Sequence, residues 1–134
     1  MLTTKIRPVF NCSLKTIGLP LLNEAAYPVS NIITDLLRIL QYFRTNSYVL
    51  LADIGKAFLN IKLNSESDIN KFSFVVYHNN KFHYFKYNTI IFGFVSSPFI
   101  LSYILKHHAE TCQNSCLKDI IQNVFYVQNL IFTS

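Results

Sequence analysis

The sequence predicts an α+β fold in which helices pack on a mostly antiparallel sheet, and three observations predict it. Two pairs of apolar, β-prone runs flank the turn-forming dipeptides Asn79-Asn80 and Gln128-Asn129, the pattern of a hairpin because Asn tolerates positive φ. Two other stretches place apolar side chains at helical spacing behind Ser30 and Ser97. Between them a continuous apolar run covers residues 48–52, as expected of a strand buried on both faces.

Bulk properties narrow the class. A chain of 134 residues is long enough for one domain with a real core. Hydrophobic residues make up 51% and twelve residues are Phe, which excludes a disordered chain. Charged residues make up only 14%, low for a free-standing domain and in keeping with a piece of a larger protein. The net charge of +5 favours polyanionic partners, since every phosphate neutralised releases counterions. Three cysteines argue against a disulfide framework. The first ten residues include Lys5, Arg7 and Pro8 and no apolar core of a secretory signal, so an intracellular location is expected.

Taken in order, residues 5–10 read as a short strand and 11–28 as a polar loop broken by proline. Ser30 is a candidate N-cap for a helix to about Phe43, with Ile33, Leu36, Leu37, Leu40 and Phe43 on one face. The strand over 48–52 follows. Residues 72–77 and 82–87 read as a hairpin around Asn79-Asn80, with a slip in alternation at Tyr84 and Phe85 that suggests a bulge. Ser97-Pro98 supplies a capping hydroxyl and a proline at the first helical position; Leu101, Ile104, Leu105 and His108 carry that helix to about Thr111. A short helix is expected over 116–121. The runs 123–127 and 130–133 then form a tight hairpin around Gln128-Asn129. The chain stops inside this last strand, which reads as a truncated domain.

Four segments, in order, carry a family resemblance. Lys5-Ile6-Arg7-Pro8-Val9-Phe10-Asn11-Cys12-Ser13 resembles a fingers segment. Val49 through Phe58, centred on Asp53-Ile54-Gly55-Lys56-Ala57-Phe58, resembles the first metal-binding segment of a polymerase palm. Phe92-Gly93-Phe94-Val95-Ser96-Ser97-Pro98 resembles the segment that approaches template and nucleotide. Phe125-Tyr126-Val127-Gln128-Asn129 resembles a Tyr-Val-Asp-Asp hairpin with both aspartates replaced. Together they are similar to the fingers and palm of retroelement reverse transcriptases, most closely the Pao/BEL class of retrotransposons. The resemblance implies a partial right-hand polymerase, with residues 1–48 fingers-like and 49–134 palm-like. None of the four segments resembles the protease, thumb, connection or RNase H parts of such polyproteins.

The resemblance also implies roles. Nucleotidyl transfer of this kind uses two Mg²⁺ ions that hold the attacking hydroxyl, the α-phosphate and the leaving group, and Mg²⁺ takes oxygen ligands. Asp53 stands at the first carboxylate position. Gln128 and Asn129 stand at the other two, as neutral amides. Lys5 and Arg7 correspond to residues that grip the triphosphate, and an arginine fork suits phosphate. Phe58 corresponds to the aromatic that excludes a ribose 2′-hydroxyl, with a core aromatic a live alternative in a chain with twelve Phe. Gly93 corresponds to a position where the template or nucleotide nears the backbone. Phe92 and Asn11 depart from the usual pattern, which has polar and acidic residues there.

The expected function is therefore a reverse transcriptase fragment, ancestrally an RNA-directed DNA polymerase acting on an RNA or DNA primer–template, whose catalysis is lost with the two aspartates. A domesticated module that binds nucleic acid or a partner chain is the alternative, and a basic groove around Lys5, Arg7 and Lys56 would favour it. Two weaker readings complete the set. His108, Cys112 and Cys116 recur every four residues and could offer soft ligands to zinc. Residues 87–105 form a long uncharged run, but Asn88, Gly93 and Pro98 within it suit strand, turn and helix start better than a membrane span.

Overall fold

The computed structural model describes residues 10–15, 17–27, 29–30 and 32–133. Lys5, Arg7 and nearly all of the strand expected over 5–10 lie outside them. The elements in chain order are α1 (Leu22–Ala25), α2 (Leu36–Thr45), β1 (Val49–Asp53), a 3₁₀ turn (Phe58–Asn60), α3 (Glu66–Lys71), β2 (Ser73–His78), β3 (Lys81–Lys86), α4 (Ser97–Thr111), α5 (Ser115–Asn123), β4 (Phe125–Tyr126) and β5 (Asn129–Thr133). This is a mixed α+β chain with antiparallel sheets.

The chain divides into two compact units that interleave in sequence. One contains Met1–Tyr27 and Phe58–Ser97, the other Pro28–Ala57 and Pro98–Ser134. The boundary drawn after residue 48 from the sequence falls inside the second unit.

The first unit is built on the β2–β3 hairpin. Asn79 and Asn80 both have positive φ, +50° and +56°, the requirement of a two-residue turn whose twist matches the flanking strands. The register runs without a break from Ser73↔Lys86 to His78↔Lys81. The bulge expected at Tyr84 and Phe85 is therefore absent; the aromatic pair sits on alternate faces of a regular ribbon. Beneath it, Cys12, Phe72 and Ile91 form a buried cluster, with Phe10, Leu22, Leu63, Tyr87 and Phe94 packed against it. Ring contacts join Phe10 to Phe74 and Tyr87, and Phe72 to Phe94, all edge-on, the arrangement the ring quadrupole favours. The loop 11–28 expected from the sequence contains α1. The sequence also gave no warning of α3. Glu66 and Asp68 lie in its first turn and Lys71 in its last, which complements the helix dipole.

The second unit holds a three-stranded antiparallel sheet of order β1-β5-β4. Helix α2 begins later than expected: its N-cap is Asp35, whose carboxylate accepts from the Leu37 N–H at 2.9 Å, so Ser30 is not the cap. Its inward face also differs. Ile39 is buried, while Leu37 and Leu40 are exposed. Asn46 at its C-terminus donates to the Tyr42 carbonyl and the Thr133 hydroxyl, which ties α2 to the end of β5. Strand β1 is exposed at all five positions, a correction to the expected double burial. It is an edge strand of its sheet. Helix α4 starts at Ser97 as the Ser-Pro pair suggests, and the Ser97 hydroxyl donates to the Ile91 carbonyl at 2.7 Å. Asn114 caps α5 by accepting from the N–H groups of Cys116 and Leu117. No helix among the described residues is long and apolar enough to cross a membrane.

Candidate functional site

Asp53 ends β1, and Asn129 begins β5. The register pairs them directly across the two strands. One hydrogen bond fixes what kind of pair this is. The Ile54 N–H donates to the Gln128 carbonyl at 3.0 Å, so 54 and 128 form a hydrogen-bonded pair. Antiparallel pairs alternate, so Asp53 and Asn129 form the closer, non-hydrogen-bonded kind, with Cα atoms about 4.5 Å apart and side chains on one face of the sheet. Both are exposed.

The hairpin that presents Asn129 has a two-residue loop, as expected, but that loop lies one residue earlier. Tyr126 pairs with Asn129, leaving Val127 and Gln128 as the two-residue loop. Asn129 is thus a strand residue and not part of the turn. The positive φ falls instead on Val127, at +56°. A β-branched residue resists that conformation because its Cβ crowds the following carbonyl. After Asp53 the chain turns sharply: the Ala57 N–H donates to the Ile54 carbonyl at 3.2 Å, and Lys56 has φ +56°.

The site therefore offers one carboxylate opposite one neutral amide, with a second amide, Gln128, in the adjoining loop. Two Mg²⁺ ions with a triphosphate would need more negative charge than that, so this donor set does not fit the pair of ions implied by the resemblance. Among the described residues, no group of three or more His, Cys, Asp or Glu side chains could hold a metal ion. His108, Cys112 and Cys116 are not such a group, because α4 ends at Thr111 and Cys116 belongs to α5; the break removes the shared helix face that their spacing suggested.

Phe58 and Gly93 belong to the first unit. Phe58 is buried and its ring meets Phe92 edge-on at 4.7 Å. Gly93 has φ +91°, and a Cβ there would collide with the Phe10 carbonyl oxygen. Its missing side chain thus makes room for the chain's own backbone.

The residue that holds this loop escaped notice in the sequence. Asn23 donates to the Ser13 hydroxyl and the Gly93 carbonyl, and accepts from the Val95 N–H at 2.9 Å. A lone Asn in a polar stretch gives no sign of partners seventy residues away. Elsewhere, a cavity of about 240 Å³ is lined by Arg38, Tyr42, Asp119, Asn123 and Phe132 among others, without Asp53 or Asn129.

No family model, curated protein or solved structure matches this chain.

Proposed function

We propose that this chain is a reverse transcriptase fingers and palm fragment of retrotransposon type that no longer catalyses nucleotidyl transfer. One observation carries the reading: Asp53 faces Asn129 across two strands, at the mouth of a two-residue hairpin reading Tyr126-Val127-Gln128-Asn129. A palm requires a strand-end carboxylate opposite a hairpin carboxylate, because two metal ions must be clamped from both sides. This arrangement supports the scaffold, while the amides at 128 and 129 remove the charge that catalysis needs. The loss of preorganised electrostatic stabilisation is worth several kcal/mol.

Purified protein given primer–template, nucleotides and Mg²⁺ or Mn²⁺ should extend nothing above background. Sustained extension that disappears in Asp53→Ala would overturn the loss of catalysis.

A second reading, a retained module that binds nucleic acid or a partner chain, is favoured by the charge distribution. The first unit contains seven Lys and Arg against three acids. On the remnant reading, binding is weak and salt-sensitive, with a dissociation constant on the order of 10⁻⁴ to 10⁻⁶ M. Submicromolar affinity at physiological salt that collapses in Arg7→Ala or Lys5→Ala would favour domestication.

A further inference from the structure

Two hydrogen bonds fix which way the backbone of β1 points. The Ile54 N–H donates to the Gln128 carbonyl at 3.0 Å. Ile131, which faces Leu51 across the two strands, donates its N–H to the Val124 carbonyl at 3.1 Å, on the side away from β1. Bonded and non-bonded pairs alternate along an antiparallel ladder. Leu50 and Ala52 therefore bond to β5, while the N–H and C=O groups of Val49, Leu51 and Asp53 point outward. β1 ends the strand order of its sheet, so no described strand takes these groups up.

Proteins blunt such edges with short strands, lysines, prolines or bulges. The other edge of this sheet follows the rule, since β4 has only two residues. β1 does not. It has five residues, and its register with β5 runs unbroken from Val49↔Thr133 to Asp53↔Asn129. The run 48–52 contains no charge and no proline. Leu51 is 64% exposed, Leu50 56% and Val49 42%. We propose that β1 pairs with β1 of a second copy of this chain, antiparallel, about a two-fold axis through Leu51.

The symmetry of the edge selects this occupant. Its outward groups sit at 49, 51 and 53, a set that maps onto itself about position 51. A two-fold axis there sets Leu51 against the partner's Leu51 and Val49 against the partner's Asp53. All three outward residues then exchange hydrogen bonds in pairs. Moving the axis one residue either way leaves one of the three unpaired within the strand. Charge agrees with this register. Asp53, the only charged residue of β1, lands beside an apolar residue. The two Asp53 carboxylates stand four residues apart along the strands, about 14 Å, beyond the screening length of about 8 Å at physiological salt. On the other face Leu50 meets the partner's Ala52. The product is a six-stranded sheet of order β4-β5-β1-β1-β5-β4, an ordinary size. A contact of five residues a side is small beside a standard interface of about 20–30, so the pairing is weak and depends on concentration. The inference uses only the sheet and its register, and it stands whether or not the chain derives from a polymerase.

Two measurements on the whole chain test it. The first is sedimentation equilibrium over a wide range of concentration. The average mass should rise toward that of a dimer. Leu51→Pro deletes an N–H that β5 does not use, at an edge position where proline is tolerated, and Leu51→Lys sets a charge against its own copy. Each should remain a monomer throughout, and circular dichroism checks that each folds. The second is disulfide trapping under glutathione disulfide in a Cys112→Ser, Cys116→Ser background, which leaves only the buried Cys12. Leu51→Cys should give a covalent dimer, because the Cα atoms of a hydrogen-bonded pair lie about 5.5 Å apart, within disulfide reach. Leu50→Cys should not, because its copies lie diagonally at about 8 Å, outside that reach. A parent that stays monomeric and a Leu51→Cys variant that does not cross-link overturn the proposal. Cross-linking at 50 as readily as at 51 overturns the register. A dimer that survives both Leu51→Pro and Leu51→Lys assigns self-association to another surface and overturns the proposal equally.

Discussion

Asn129→Asp is the sharpest perturbation of the candidate site, because the register fixes what a new charge there must meet. Asn129 faces Asp53 in a non-hydrogen-bonded pair, so the two carboxylates would lie about 5 Å apart. Coulomb's law gives roughly 0.8 kcal/mol of repulsion at that distance in bulk water and about 3 kcal/mol at an effective dielectric of 20. Both side chains are exposed, so the aqueous limit governs and the expected loss is about 1 kcal/mol, or about 3–5 °C in Tm for a chain of this size. Urea unfolding in EDTA reads it. A double-mutant cycle with Asp53→Asn isolates the pairwise part, since Asn129→Asp in that background has no partner to repel. Mn²⁺ then supplies the opposite sign. A divalent ion bound between the carboxylates at ten times its dissociation constant returns about 1.4 kcal/mol, while the parent, with one carboxylate, gains little. A coupling energy near zero together with no Mn²⁺ response in the variant would refute the juxtaposition on which the proposed function rests.

Other perturbations test the surrounding geometry. Gly93→Ala combines φ +91° with a collision against the Phe10 carbonyl, so it should cost more than about 2 kcal/mol in urea unfolding; a neutral result would mean that the loop is not seated against Phe10. Among the three free cysteines, Cys12 is buried and Cys116 exposed, so a thiol reagent should modify Cys116 first, then Cys112, and Cys12 only on unfolding. Burial pushes the Cys12 thiol up. A raised pKa adds stability that is complete below the ordinary thiol range and lost as pH rises through the folded value, so Cys12→Ala should flatten the alkaline end of the stability profile. If it leaves that limb unchanged, the buried thiol does not contribute to it.

What the sequence made legible follows from how local each signal is. The Asn79-Asn80 turn and the Ser97-Pro98 helix start depend on single-residue backbone preferences, and both appear where they were expected. The pairing of Asp53 with Asn129 was expected only through the resemblance, since no local rule joins positions so far apart in the chain. Four misreadings share a cause. Burial of β1, the inward face of α2, the bulge in β3 and the placement of the last turn all depend on what a neighbour does. An apolar run such as Val49-Leu50-Leu51 cannot reveal that its strand lies at the edge of a sheet. An Asn-containing dipeptide cannot reveal that Tyr126 closes the hairpin one residue sooner. The three hydrogen bonds of Asn23 are the extreme case, set wholly by tertiary structure.

Val127 gives the loop shift an energetic consequence. With Tyr126 paired to Asn129 and Gln128 bonded through its carbonyl to Ile54, the backbone on both sides is fixed, and the loop must close in two residues. Its first residue takes φ +56°, a conformation that costs an L-residue about 1–2 kcal/mol and that persists only where surrounding bonds over-determine it. Glycine removes that cost but loses about 0.5–1 kcal/mol to greater freedom in the unfolded chain. Val127→Gly should therefore stabilise the protein by up to about 1 kcal/mol, read as a higher urea midpoint with an unchanged m-value. A destabilised Val127→Gly would show that the packing of this half-buried side chain outweighs the strain, and that the hairpin is held by its side chain rather than by the two flanking ladders. The stabilised outcome locates the constraint in the ladders, the same bonds that hold position 129 against Asp53 whether or not it carries a charge.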